Sequence, residues 1–171
     1  MANTYTLIAS NTLSSSAASV TFSAIPNTYT DLVLRVSSRN NDTGTSEGFL
    51  TQFNSDTSTN YSWRALLVGG GAPVSQGYSN QADIENRQAG NGATSNTFSS
   101  MEIYIPSYTA SQNKPVSSYY VIEKNVTDAY IGVEAGLWRN TAAISSIKLF
   151  NNGSIVFASG SSFFLYGIKN S

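Results

Sequence analysis

Cysteine and histidine are both absent from this chain of 171 residues. Without Cys there is no disulfide and no thiolate metal site, and the redox compartment leaves no mark on the sequence. Without His, the commonest general base, the commonest metal ligand and every Ser–His or Cys–His nucleophile pair are excluded. Charge is scarce too. Asp, Glu, Lys and Arg supply 11% of the residues, against roughly 25% in an ordinary soluble domain. The nine basic residues stand singly, at Arg35, Arg39, Arg64, Arg87, Lys114, Lys124, Arg139, Lys148 and Lys169. No basic stripe exists to neutralise a phosphate backbone, which argues against nucleic-acid binding. Long apolar runs are missing as well. Nothing approaches the ~20 residues of a spanning helix, so no membrane partner is expected. The opening MANTYTLIASNTLSSS lacks a basic segment and does not read as a signal peptide.

What is present is Ser, Thr, Asn and Gly around a hydrophobic share of 40%. Thr, Val, Ile and Tyr favour strands, while Asn, Gly and Ser favour turns. The strong helix formers Glu, Lys, Gln and Leu are thin, so the chain reads as all-β. Its length fits one domain over residues 1–171, with a core that needs no staples. With so little charge, either much of the surface serves protein–protein contact or the chain is a merely neutral soluble domain.

The strands are read from alternation and turn signals. Tyr5–Ala9 comes first, then Ala18–Ser23 and Leu32–Ser38. In the last of these Leu32, Leu34 and Val36 point one way, and Val33 beside Arg35 on the other face suggests partial cover there. Phe49–Asn54 and Tyr61–Val68 follow, the second carrying Trp63 and ending at Gly69-Gly70-Gly71. Residues Ala72–Thr97 have no clear period and read as an irregular interaction loop, with a short outer strand around Asp83–Gln88 as the alternative. Then come Phe98–Ile105, Val116–Val126 and Asp128–Leu137. In the third of these Tyr130, Gly132, Glu134 and Gly136 share a face and Ile131, Val133 and Ala135 fill the other. Ile144–Phe150 and Phe163–Lys169 close the chain. About ten short antiparallel strands imply a β-sandwich or barrel.

Little in this pattern carries chemistry. Ten carboxylates are available, but no spacing selects the pair that glycoside hydrolysis needs. Asp42 with Glu47, or Asp56 with Asn54 and Asn60, could offer oxygens to Ca²⁺. Neither loop has the EF-hand spacing, and such Asx residues are mostly turn-makers. The glycine triplet lacks the Lys-Ser/Thr and the helix of a phosphate loop. No cofactor or metal is expected. Trp63, Tyr78, Tyr108 and Trp138 would stack on sugar rings if they stood at loop tips; core or interface anchors are the commoner role of such aromatics.

Three pieces of the chain resemble a family of small virion proteins of tailed bacteriophages, abundant among phages of aquatic bacteria. They are TYTLIASNTLSSSAASVTFSAIPNTYTDLVLRVSSR, FNSDTSTNYS at Phe53–Ser62, and the closing region with Gly136-Leu137-Trp138-Arg139-Asn140-Thr141-Ala142-Ala143-Ile144 and Phe164-Leu165-Tyr166-Gly167-Ile168. The resemblance implies a jelly-roll-like sandwich on the virion, non-enzymatic and assembled as a homotrimer. A decoration (cement) protein on the capsid exterior, clamping the major capsid protein, is the first expectation. A tail fibre or spike component that recognises a host-surface glycan is the second. Trp63, Tyr78, Trp138 and Arg139 are the candidate anchor or interface residues, with the N-terminal segment or Ala72–Thr97 reaching to the capsid.

Overall fold

Twelve strands and no helix make up the described residues, 4–125 and 129–169, of the computed structural model. They are β1 (Tyr5–Thr12), β2 (Ser19–Phe22), β3 (Asp31–Ser37), β4 (Ser46–Phe53), β5 (Tyr61–Gly69) and β6 (Val74–Gln81). The second half holds β7 (Ile84–Ala89), β8 (Ser100–Ile105), β9 (Lys114–Ile122), β10 (Tyr130–Trp138), β11 (Ile147–Phe150) and β12 (Ser162–Ile168). Val126 and Asp128, where two of the expected strands end and begin, lie outside the described residues.

The strands form two antiparallel sheets, one ordered β1-β12-β3-β8-β9-β10-β5-β6 and the other β2-β11-β4-β7. If β5, β6, β9 and β10 are set aside, the remaining eight strands pair first with last, second with seventh, third with sixth and fourth with fifth. That is the wrapping of a jelly roll, in which a folded-over ribbon supplies both faces of the sandwich. The hairpins β5–β6 and β9–β10 are insertions after β4 and β8. They extend the sheet beyond β8, β9–β10 next to it and β5–β6 outermost, and widen it from four strands to eight.

Alternation places the core between the sheets. Leu32, Leu34 and Val36 of β3, Ile103 and Ile105 of β8, and Phe163 and Leu165 of β12 meet Val20, Phe22, Phe49, Phe53, Ile147 and Leu149 of the smaller sheet in one cluster. The closing stretch does seal it. β12 lies between β1 and β3, β11 between β2 and β4, and Phe157 packs against Phe163 and Phe49 at 5.0 and 5.7 Å. Val33 is covered as expected, flanked in register by Tyr166 and Tyr104.

Residues 72–97 are not an irregular loop. Most of them belong to β6 and β7, and β7 occupies nearly the place expected of the outer strand at Asp83–Gln88. The alternation was masked because both are edge strands, and β7 turns Asn86 and Gln88 inward where a core strand would place apolar residues. The polar segment after β3 is anchored by one buried side chain. Arg39 is buried, and its guanidinium donates to the carbonyls of Asn91, Ala93, Thr94 and Thr97 at 2.9–3.0 Å. One side chain thus satisfies the backbone of the connection from β7 to β8.

Candidate functional site

The outer face of the eight-stranded sheet is the most unusual surface of the molecule. β10 sets it. Trp138 is fully buried, and a period of two then turns Gly136, Glu134 and Gly132 inward as well. Ile131, Val133 and Ala135 therefore face outward, against the ordinary preference. Tyr120 enforces the same choice from the neighbouring strand, because its ring fills the space that a Cβ on Gly132 would occupy. In register beside β10, Leu66 lies opposite Val133 and Val68 opposite Ile131 on β5, and Tyr119 lies opposite Val133 on β9. Leu66, Tyr119, Ile131 and Val133 are each about half exposed, and Val68 somewhat less.

Past β9 the same face changes chemistry. A row across the strands reads Phe164, Arg35, Glu102, Tyr119. Arg35 Nε donates to Glu102 Oε2 at 3.1 Å, an exposed ion pair. Two shallow grooves meet there. One of about 610 Å³ runs over Arg64, Leu66, Ser75, Tyr104, Ser117 and Val133, and one of about 400 Å³ runs over Arg35, Ser37, Ser100, Ser162 and Phe164. Glu102 and Tyr119 line both.

The aromatic candidates divide. Trp138 is a core anchor: its indole N–H donates to Asp56 Oδ2 at 2.8 Å, and its rings stack on Tyr61 and tilt against Phe53. Burial alone would raise the Asp56 carboxyl. Hydrogen bonds from Asn60, Trp138 and Ser58 outweigh it and hold the group well below the carboxylate range. Trp63 is buried, and the Tyr78 ring stands edge-on to it at 5.3 Å, so Tyr78 alone of the two offers an exposed ring. Tyr108 is buried, with its hydroxyl donating to the Pro26 carbonyl. Arg139 ties the connection before β5 to the end of β6, donating to Thr59 O at 2.6 Å and Asn80 Oδ1 at 2.8 Å. The candidate set is scattered over the core and its rim, with Trp63 and Tyr78 its one direct pair.

The Asx residues of the loops act as turn-makers. Asp42 Oδ1 accepts from Gly44 N–H and Asp56 Oδ1 from Ser58 N–H, each at 2.9 Å. Among the described residues no group of three or more acidic side chains is placed to hold a metal.

Between the sheets lies a polar cluster. Asn86 Nδ2 approaches Glu134 Oε1 at 3.5 Å, while Glu134 Oε2, Asn86 Oδ1, Gln88 Oε1 and Thr51 Oγ1 are buried with no partner among the described residues. Burial, with the nearby Glu85 carboxylate adding to it and Arg87 opposing, pushes the Glu134 carboxyl up to about 9. It is a neutral acid inside the sandwich, enclosed where a general acid would have to meet its substrate. Lys114 is buried too, donating to the carbonyls of Ala110, Gln112 and Asn140.

Sequence reasoning passed over Leu66, Tyr119 and the Arg35–Glu102 pair. The parity of β10 relative to Trp138 was the available signal for Ile131 and Val133. Compared with known protein families, curated proteins and solved structures, the chain matches none of them.

Proposed function

We propose that this chain is a non-enzymatic structural protein of a phage virion that stabilises the capsid exterior as a homo-oligomer, in the manner of a decoration protein. One observation carries the reading: the outward apolar cluster of Leu66, Val68, Ile131 and Val133 with Tyr119, on a face of the larger sheet that no other sheet covers among the described residues. Contiguous apolar surface of this kind marks protein contact, because its removal from water stabilises association by about 25 cal/mol per Å². The jelly-roll wrapping is also the fold that the resemblance to virion proteins implies, and a charge-poor surface suits a permanent contact. The major capsid protein is the hetero-partner of this reading, and a trimer the oligomer.

Sedimentation equilibrium of the purified chain tests it, with Val133→Lys as the comparison. A closed oligomer that dissociates in the variant, together with co-sedimentation of the wild type with empty capsid shells, is the expected result. A chain that stays monomeric at every concentration and ignores shells would overturn the proposal.

A further inference from the structure

The half of the outer face beyond the apolar cluster, which it meets at Tyr119, has its own construction. Phe164, Arg35, Glu102 and Tyr119 sit side by side on β12, β3, β8 and β9. Phe164 and Tyr119 are three strand spacings apart, about 14 Å between backbones. The ion pair lies between the two rings, and Ser37, Ser100 and Ser162 border the same groove of about 400 Å³. The Arg35–Glu102 contact uses one guanidinium nitrogen and one carboxylate oxygen, and both side chains remain about half exposed. Among the described residues no hydrogen bond engages Arg35 Nη1, Nη2 or Glu102 Oε1, and the guanidinium also lies over the Tyr5 ring.

The charges decide the ligand class. An anion gains Arg35 but meets Glu102, and a cation meets the reverse. An apolar group strips water from both charges and returns no hydrogen bond. A neutral polyhydroxylated ring avoids each cost. Neighbouring hydroxyls donate to the carboxylate and accept from the guanidinium, serine hydroxyls serve the rim, and the ring's C–H face lies against an aromatic side chain. We infer that the groove between Phe164 and Tyr119 is a binding site for a neutral pyranoside, such as the end unit of a glycan. This site is separate from Trp63 and Tyr78, and it stands whether or not the chain belongs to a capsid.

The test is a titration of the ¹⁵N-labelled full chain with the methyl glycosides of glucose, galactose, mannose and N-acetylglucosamine. The expected result is a saturable shift with at least one of them, confined to amides near 35–37, 100–102, 119–121 and 162–164. Glu102→Gln and Tyr119→Ala should each weaken that binding about tenfold or more while keeping the native pattern of amide shifts elsewhere in the sheet. No saturable shift with any of the four overturns the inference, and so does binding that both variants retain or that maps elsewhere. Concentration-dependent broadening, without sugar, of the amides near 35–37, 100–102 and 162–164 would assign the groove to a second copy of the chain, which overturns it too.

Discussion

Trp138 Nε1 donates to Asp56 Oδ2 at 2.8 Å, joining the end of β10 to a loop 82 positions earlier in the chain. The bond satisfies the one polar atom of a fully buried indole and helps to keep Asp56 ionised. Trp138→Ala should therefore cost about 3–5 kcal/mol of folding stability. Trp138→Phe should cost less, because it keeps the ring packing on Tyr61 and Phe53 and loses only the donor. Chemical denaturation of both variants checks the order; equal losses would show that the hydrogen bond, not the packing, dominates.

Glu134 gives stability a pH dependence of definite sign. Its folded pKa, about 9, lies above the ordinary 4.5. Between those values the folded chain holds a proton that the unfolded chain has released, so its contribution is complete below about pH 4.5 and fades as pH rises toward 9. The loss amounts to roughly 3 kcal/mol at pH 7 on that shift. Glu134→Gln should remove this part of the slope and be more stable than wild type at pH 8. Asp56, with its lowered value, acts in the opposite sense and only below about pH 4. Parallel urea midpoints from pH 5 to 8.5 in wild type and variant would refute the assignment.

The two faces of β10 should respond oppositely to small changes. Val133→Ser alters an outward position and should shift the stability of the monomer by no more than about 0.5 kcal/mol. Gly132→Ala adds one methyl group against the Tyr120 ring and should cost about 1–3 kcal/mol. Denaturant titrations of the two proteins, at concentrations where each sediments as a monomer, decide this. Had the apolar side of β10 faced the core, Val133→Ser would be the damaging change.

Arg39 holds the connection between β7 and β8 by its carbonyl contacts at residues 91–97. Arg39→Lys keeps the charge but loses the planar fork, and should destabilise the fold by about 2–3 kcal/mol. Hydrogen exchange should quicken at Asn91, Gly92, Ala93 and Thr97, whose amides bond within or beside this loop. Unchanged protection there would show that the loop's backbone bonds suffice alone.

Fold class was legible because alternation and turn chemistry are local. The run Leu32–Ser38 announced its inward side, and Asn-Gly and Ser-Gly segments marked the ends of β11 and the start of β12. The candidate anchors were less legible. Trp63 and Trp138 look alike as isolated aromatics, and only their burial and partners distinguish a core ring from a platform. β6 went unread, and β7 was read only as the alternative of a short outer strand, because an edge strand buries one side poorly, so selection for apolar alternation is weak there.

By itself the sequence determined that the molecule is all-β, uses neither thiol nor imidazole chemistry, and ends in the aromatic strands that close its core. These follow from residue inventory and from periods of two, which need no knowledge of distant neighbours. Tertiary structure alone decided that β10 points valine and isoleucine at solvent and a carboxyl at the core. A strand's two faces are equivalent until something remote ranks them. Here Trp138 on Tyr61 and Tyr120 over Gly132 set that rank. The same long-range pairing placed Arg35 beside Glu102, 67 positions apart in the chain, since register across a jelly roll is fixed by the wrapping and not by any local pattern.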